Sequence, residues 1–521
     1  MASPQQPLNR IGGGGAAAAL AAARRGPQSS VLGRFPVLLL CSLAAVVAIS
    51  SQSLWIDEAL TAMKAQQPTL AGWWRAMVAE RASDLQMPLY MIYVWGWVKV
   101  FGASEWMLRA ANLPWFLAGI MALGVAARGR NGRWAFLLLA AGASPFCWGY
   151  LNEARPYAMQ LGASFLILAA LGRLSESELD HFQERRWTAG FAVGVGVLCG
   201  ASLLGAVWAF AALAAAWGVI PRSRRPDLWQ NTRSVWLLLG VWLVFLGLYY
   251  LWTLRLGARA SAAAETSVKT LAFVGYELLG FSGLGPGRLT LREAGPAALQ
   301  GYEWVLGGYA LLLALLLAAG IRAVVDSGHE RSARVIAAGL CGSSAFLLLA
   351  GWIAHFRVLG RHFAPLAAVG LLLLSLGADW LWRSRRWPAR AAVLGFFALS
   401  VWSSVSLRFA PRHQRDDYRG AAALARTALA AHRTVWWNAN PQGAAYYRLP
   451  TTGEPSDPGA ALWLVNPRAT TLDSLPRPDL VVASKPDIYD VEGALAAYLQ
   501  RSGFTQIRDL PAFAVWERPS N

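Results

Sequence analysis

Two adjacent acids, Asp57 and Glu58, follow the first long apolar run of the chain, in Trp55-Ile56-Asp57-Glu58. A positioned carboxylate can take the proton from a hydroxyl or amine as that group attacks. Acids also suit the first turn of a helix, which is the plainer reading of such a pair. The neighbours Trp55, Ile56, Ala59 and Leu60 are apolar, and Trp73 and Trp74 follow on an amphipathic stretch. Acids held beside a bilayer among such residues are costly, which favours function over capping. Glu153 and Arg155 form a second polar group, between Tyr150 and Tyr157 in a turn where Gly, Asn or Ser would be routine. Asp84 precedes Gln86-Met87-Pro88-Leu89-Tyr90 and could cap the helix that Pro88 begins, or work in the site.

Basic residues supply the complementary chemistry. Arg357, Arg361 and His362 cluster in a late turn, and arginine matches phosphate geometry. Arg255, Arg259, Lys269, Arg288 and Arg292, in the loop 254–302, could bind the same kind of anion, and the sequence does not choose between the two groups. Snorkelling to lipid headgroups is the simpler reading of either set.

The elements that must hold these residues follow from composition. Of 521 residues 56% are hydrophobic and 15% charged. That excess of apolar residues, in long runs separated by Arg-rich patches, predicts an all-α polytopic membrane protein. Apolar runs lie near 35–53, 106–127, 134–149, 157–172, 188–203, 205–220, 235–253, 303–321, 335–353, 364–382 and 390–407. The connectors Arg128-Gly129-Arg130, Arg185-Arg186, Arg222 to Arg225, Arg331 to Arg334 and Arg383 to Arg386 are all expected to be cytoplasmic. Alternation then gives about eleven spans, with the amino terminus inside and the carboxyl terminus outside. The formal net charge of +18 is explained by those connectors, so no nucleic-acid partner is expected.

Pro88 to Gly102, with Lys99 inside it, is short for a crossing and is expected to be an interfacial helix within the outer loop 54–105. Residues 1–33, with Gly12 to Gly15 and an Ala-rich run, are expected to be a disordered cytoplasmic tail, and the first span a retained signal anchor. Gly190, Gly194, Gly196, Gly200 and Gly205 have the spacing of close helix packing. Cys41, Cys147, Cys199 and Cys341 all fall in apolar runs, as small buried residues rather than disulfides or metal ligands. A catalytic and membrane-embedded unit thus spans 34–407. From 408 the apolar runs shorten to strand length, at Thr434 to Trp437, Ala461 to Val465, Leu480 to Ala483 and Phe513 to Trp516. With helices at Asp417 to His432 and Val491 to Arg501, the segment 408–521 is expected to be a small periplasmic α/β domain, a lid or acceptor-docking unit without catalytic residues of its own.

Four stretches together resemble the GT-C superfamily of membrane glycosyltransferases, in the bacterial branch that includes protein O-mannosyltransferases and the lipid A aminoarabinose transferase. They are Trp55-Ile56-Asp57-Glu58; Asp84 through Pro88-Leu89-Tyr90 with Trp97, Phe101-Gly102, Glu105 and Arg109; Asn152-Glu153-Ala154-Arg155-Pro156-Tyr157; and Arg361-His362-Phe363 with Pro365. The resemblance implies a polyprenyl-phosphate sugar donor whose sugar passes to a lipid, glycan or protein acceptor at the periplasmic face of a bacterial inner membrane. It implies Asp57 as the base on the acceptor, with Glu58 beside it, and Glu153 as the second acid. Asp84, Tyr90, Arg155, Tyr157, Arg357, Arg361 and His362 become the candidate substrate contacts. Members differ in their use of a divalent metal, so that cofactor stays open, and no organic cofactor is expected. Gln86-Met87 stands where the family often has His-Pro, which weakens any inference on acceptor or metal contacts there. A transporter or flippase of lipid-linked sugars is the alternative; it would place ionisable residues within the spans and use repeated halves.

Overall fold

Apolar helices dominate the computed structural model, which describes residues 35–127, 133–176, 179–257, 267–328, 330–451 and 462–519. The expected amino-terminal tail, Arg128-Gly129-Arg130 and Arg259 lie outside the described residues. Seven helices among those described are long and apolar enough to cross a membrane: Glu105–Ala126, Tyr157–Leu174, Arg222–Arg255, Glu303–Asp326, Ser332–Ile353, Gly360–Arg383 and Trp387–Phe409. A further pair, Trp134–Ala143 and Pro145–Leu151, is bent by 55°. The bend falls at Ser144, whose hydroxyl caps the second helix by accepting from the Cys147 amide, with Pro145 in its first turn. With the shorter helices Phe35–Ala48 and Leu203–Val219, these coincide with ten of the eleven expected spans. The eleventh corresponds to His181–Ala201, whose first turns carry Glu184, Arg185 and Arg186.

The first helix departs from expectation in a way that matters for the site. It ends at Ala48, not near Ser53, and the chain continues without helical structure to Trp55. The carbonyls released there are taken up by one side chain: Arg109 donates to the oxygens of Ser50 (3.0 Å), Gln52 (2.7 Å) and Ser53 (3.1 Å). The chain re-enters helix at Ile56–Ala65, followed by Leu70–Glu80 and Pro88–Phe101. Pro88–Phe101 has 14 residues, about 21 Å at 1.5 Å per residue, less than a hydrocarbon layer. These helices bury Leu54, Ala62, Met77, Tyr90 and Met91 in a core of their own.

Backbone contact brings the membrane helices together. A Cβ on Gly162 would lie 2.2 Å from the Trp115 carbonyl, and one on Gly119 would lie 2.6 Å from the Gly162 carbonyl. Gly194 and Gly205 are similarly crowded, by Ile167 and by the Leu198 carbonyl. Three cysteines are buried, but Cys341 is exposed. It lies on Glu330–Ile353, a helix on which Phe346 and Leu349 are exposed as well.

The tail forms a five-stranded sheet of β1 (Val435–Asn438), β2 (Leu462–Leu464), β3 (Leu480–Ser484), β4 (Thr505–Leu510) and β5 (Phe513–Glu517), in the order β2-β1-β3-β5-β4. β1 pairs parallel with β2 and β3, whereas β5 runs antiparallel to β3 and β4. Trp437 packs against Tyr418–Ala430 on one face and Trp436 against Ala494–Arg501 on the other. The edge strand β4 is the element without a sequence signal. Its residues Thr505, Gln506 and Arg508 are exposed, so no apolar alternation marks it.

Candidate active site

Asp57 and Glu58 are consecutive on the helix Ile56–Ala65, so their side chains leave it about 100° apart. Glu58 turns inward and is fully buried. Its carboxylate accepts from Arg109 twice (2.7 and 2.8 Å), from the Ala154 amide (2.8 Å) and from the Trp55 amide (3.3 Å). Burial by itself would raise the pKa of such an acid. The charges of Arg109 and Arg415, with the Arg109 and Ala154 hydrogen bonds, outweigh it and hold Glu58 below its usual range. Glu58 therefore joins three segments: the non-helical segment 49–55, the start of the span Glu105–Ala126, and the turn 152–156.

Asp57 keeps an accessible carboxylate. Its side chain is 27% exposed, and one oxygen lies 3.1 Å from Arg361 Nη1. The same nitrogen is 3.8 Å from Glu153 Oε1. Arg361 also lies over the rings of Trp55 and Tyr157, each 5.6 Å from the guanidinium carbon, and its Nε has no hydrogen-bond partner among the described residues. Arg288, from the second long loop, lies 6.0 Å from the same Trp55 ring. Each of the two basic groups left open by the sequence thus contributes one arginine to a single aromatic surface.

Behind this front stands a second ionic group. Asp84 is buried between Lys64 (2.5 Å) and Arg155 (2.6 Å), and Arg155 also donates to the Thr61 hydroxyl (3.0 Å). Burial raises the Asp84 pKa, but the two cations more than reverse this and hold it below its usual range. Asp84 does not cap the helix Pro88–Phe101, whose N-cap Met87 has no side-chain cap. Tyr90 is buried with its hydroxyl unpartnered among the described residues. His362 serves its own turn: its ring accepts from the Leu359 amide (3.2 Å) and its carbonyl accepts from Trp208 (2.8 Å). Arg357 is exposed and forms no ion pair with the cluster. Of the residues expected from sequence, Asp57, Glu153, Tyr157 and Arg361 meet directly, with Glu58, Asp84 and Arg155 holding them from behind.

A cavity of about 240 Å³ opens beside them, lined by Trp55, Tyr150, Glu153, Glu277, Arg288 and Arg415 among others. Asp57 does not line it; Arg361 bridges Asp57 to its wall at Glu153. Burial pushes the Glu153 carboxyl above its usual range, and the opposing charges of Arg415 and Arg361, each 3.8 Å away, do not reverse it. Burial likewise raises Glu277, against the opposing charges of Arg288 and Arg361. A second cavity of the same size adjoins at Pro145, with walls of Leu279, Leu366, Leu371, Phe396 and Phe397.

No protein-family model matches the sequence, and neither does any curated protein. Solved structures do. ArnT from Cupriavidus metallidurans bound to undecaprenyl phosphate superposes with a TM-score of 0.50 at 14% identity, over 94% of this chain and 99% of that one. The chain has the GT-C fold. Apo ArnT gives a TM-score of 0.45 at 17% identity, over 94% of this chain and 99% of that one. A mutant of the arabinofuranosyltransferase AftD from mycobacteria gives 0.46 at 15% identity, over 95% of this chain and 42% of that one.

On this GT-C scaffold the sequence signals covered the acids of the first loop and the first turn but missed three partners. Arg415 lies in Arg412-His413-Gln414-Arg415, where no periodicity or motif marks it. Glu277 closes a short amphipathic helix, Val268–Leu278, and looks like a surface acid. Lys64, four residues after Leu60, gives no hint that it is 2% exposed. Among the described residues, no three His, Cys, Asp or Glu side chains group as a metal site.

Proposed function

We propose that this protein is a membrane glycosyltransferase that moves a sugar from a polyprenyl-phosphate donor to an acceptor hydroxyl or amine. The observation that carries this reading is the division of labour at 57–58. Glu58 is consumed by close hydrogen bonds from Arg109, Ala154 and Trp55, while Asp57 keeps an accessible edge beside Arg361 and the cavity acid Glu153. In the proposed reaction the acceptor oxygen or nitrogen attacks the anomeric carbon and gives its proton to Asp57. The bond from that carbon to the phosphate oxygen breaks, the configuration inverts, and the lipid phosphate leaves with the bonding electrons. Arg361 and Arg288, both beside the Trp55 ring, are placed to hold the developing charge on that phosphate. Glu153 lines the cavity with one oxygen free of hydrogen bonds, placed to meet a hydroxyl of the sugar.

The apolar cavity adjoining at Pro145 suits an isoprenoid chain, and the likeness to an ArnT structure that holds undecaprenyl phosphate supports that donor class. The Arg-rich connectors support a bacterial plasma-membrane protein with the site and the α/β domain on the periplasmic side. The test is transfer from a polyprenyl-phosphate sugar by the purified full chain. Asp57→Asn is expected to lower kcat by about 10²- to 10⁴-fold, the contribution of a positioned base. Wild-type kcat in Asp57→Asn would sink the assignment.

A further inference from the structure

The arginines of the site differ in how much of their hydrogen-bonding capacity is already used. A guanidinium carries five N–H donors. Arg109 has hydrogen bonds of 2.7 to 3.3 Å to one carboxylate, three carbonyls and a hydroxyl, and is fully buried. Arg155 is held by Asp84 at 2.6 Å and Thr61 at 3.0 Å. Arg415 has no contact of that quality. It stands 3.5 Å from Glu58 Oε2, 3.4 Å from the Gly149 carbonyl and 3.8 Å from Glu153 Oε2, with its side chain 20% exposed in the cavity wall. Glu58 takes its close hydrogen bonds from Arg109 and the Ala154 amide, so Arg415 adds charge to it at 3.5 Å but is not spent on it. A half-buried cation whose neighbours are all at the edge of hydrogen-bond reach is suited to an anionic oxygen that enters from the cavity.

The backbone that carries Arg415 is fixed. It belongs to the junction between the last membrane helix, Trp387–Phe409, and the α/β domain. Arg412 donates to the carbonyls of Gly285 (3.1 Å) and Gly283 (3.2 Å) and to the Ser406 hydroxyl (2.8 Å). Gly287 packs so closely on the Arg412 carbonyl that a Cβ would lie 1.9 Å from it. Gly287 immediately precedes Arg288, so one clamp positions both cations, Arg288 from the loop and Arg415 from the junction. On the other side, Asp416 pairs with Lys485 of the α/β domain, and both line the cavity. The domain is anchored to the first loop as well: the Leu54 amide donates to the Tyr447 hydroxyl (2.8 Å) and the Arg419 amide to the Ser53 hydroxyl (3.1 Å).

We propose that Arg415 is a phosphate-binding residue of the active site, supplied by the junction with the C-terminal domain, so that the donor site is complete only with that domain docked. The inference rests on the donor class proposed above and extends it to a residue outside the membrane unit. It revises the expectation that the segment from 408 holds no working residue. The experiment is equilibrium binding of undecaprenyl phosphate to the full-length protein in lipid nanodiscs. Arg415→Gln is expected to raise Kd by about 10- to 100-fold, the range for losing a charged hydrogen-bond donor. Arg415→Lys, which keeps the charge, is expected to recover part of that loss and to melt with the wild type. Wild-type affinity in Arg415→Gln overturns the proposal. A loss that Lys does not relieve and that comes with a lower melting temperature also overturns it, by showing a structural role. Failure of the wild-type protein to bind undecaprenyl phosphate would instead refute the donor class itself, and this proposal with it.

Discussion

Glu58→Gln separates the two adjacent acids by a different property from Asp57→Asn, and its size can be worked from the contacts. The substitution keeps the shape of the side chain and removes its charge. Arg109, with no exposed surface, is left as an uncompensated buried cation. Breaking a buried ion pair by removing one partner costs about 3–5 kcal/mol. Three carbonyls still accept from Arg109, so the expected cost is at the lower end, about 3 kcal/mol. Asp57→Asn breaks a pair whose side chains are 27% and 18% exposed, and such pairs contribute about 0–1 kcal/mol. Thermal unfolding of the detergent-solubilised protein, followed by tryptophan fluorescence, should therefore show a clear drop in melting temperature for Glu58→Gln and almost none for Asp57→Asn. The pH dependence has a definite sign. The Glu58 pKa is lowered on folding from an ordinary value of 4.5, so its stabilisation is complete above that value and is lost as pH falls through the depressed one. The gap between wild type and Glu58→Gln is thus expected to stay constant from about pH 6 to 8 and to narrow as pH falls below the ordinary value and through the depressed one. Equal melting temperatures for Glu58→Gln and wild type, or a larger drop for Asp57→Asn, would refute the assignment of Glu58 as the pin and Asp57 as the working acid.

Glu153→Gln should trade activity for stability. The Glu153 pKa is raised on folding, so the folded state is penalised as pH rises from 4.5 through the raised value. The variant is expected to melt above wild type at pH 8, to match it near pH 4, and to lose sugar transfer; a lower melting temperature at pH 8 would contradict the buried, unpartnered oxygen at Oε1. Gly162→Ala is expected to destabilise by about 1–3 kcal/mol, because its Cβ would meet the Trp115 carbonyl at 2.2 Å; a neutral result in the same unfolding assay would show that the two helices can move apart freely.

The sequence alone determined the membrane class, the positions of ten apolar helices or bent pairs and the acids worth watching, because these follow from local rules. Apolar run length, the Arg-rich connectors and an acid beside aromatics are all readable within a short window. It also marked four of the five strands of the tail, and missed β4 because an exposed edge strand carries no alternation. The roles within the site were decided only by tertiary structure. Asp57 and Glu58 are chemically near-identical neighbours; the direction in which each leaves the helix, and the arrival of Arg109 from 51 residues away, make one a buried pin and leave the other accessible. Arg155 and Arg361 are equally plausible phosphate ligands in sequence, yet Asp84 takes the first and leaves the second beside the cavity. Arg415 gave no local signal at all. A charge acquires a function here from the distance to its counter-charges and from its burial, and both are set by segments up to 357 residues apart in the chain.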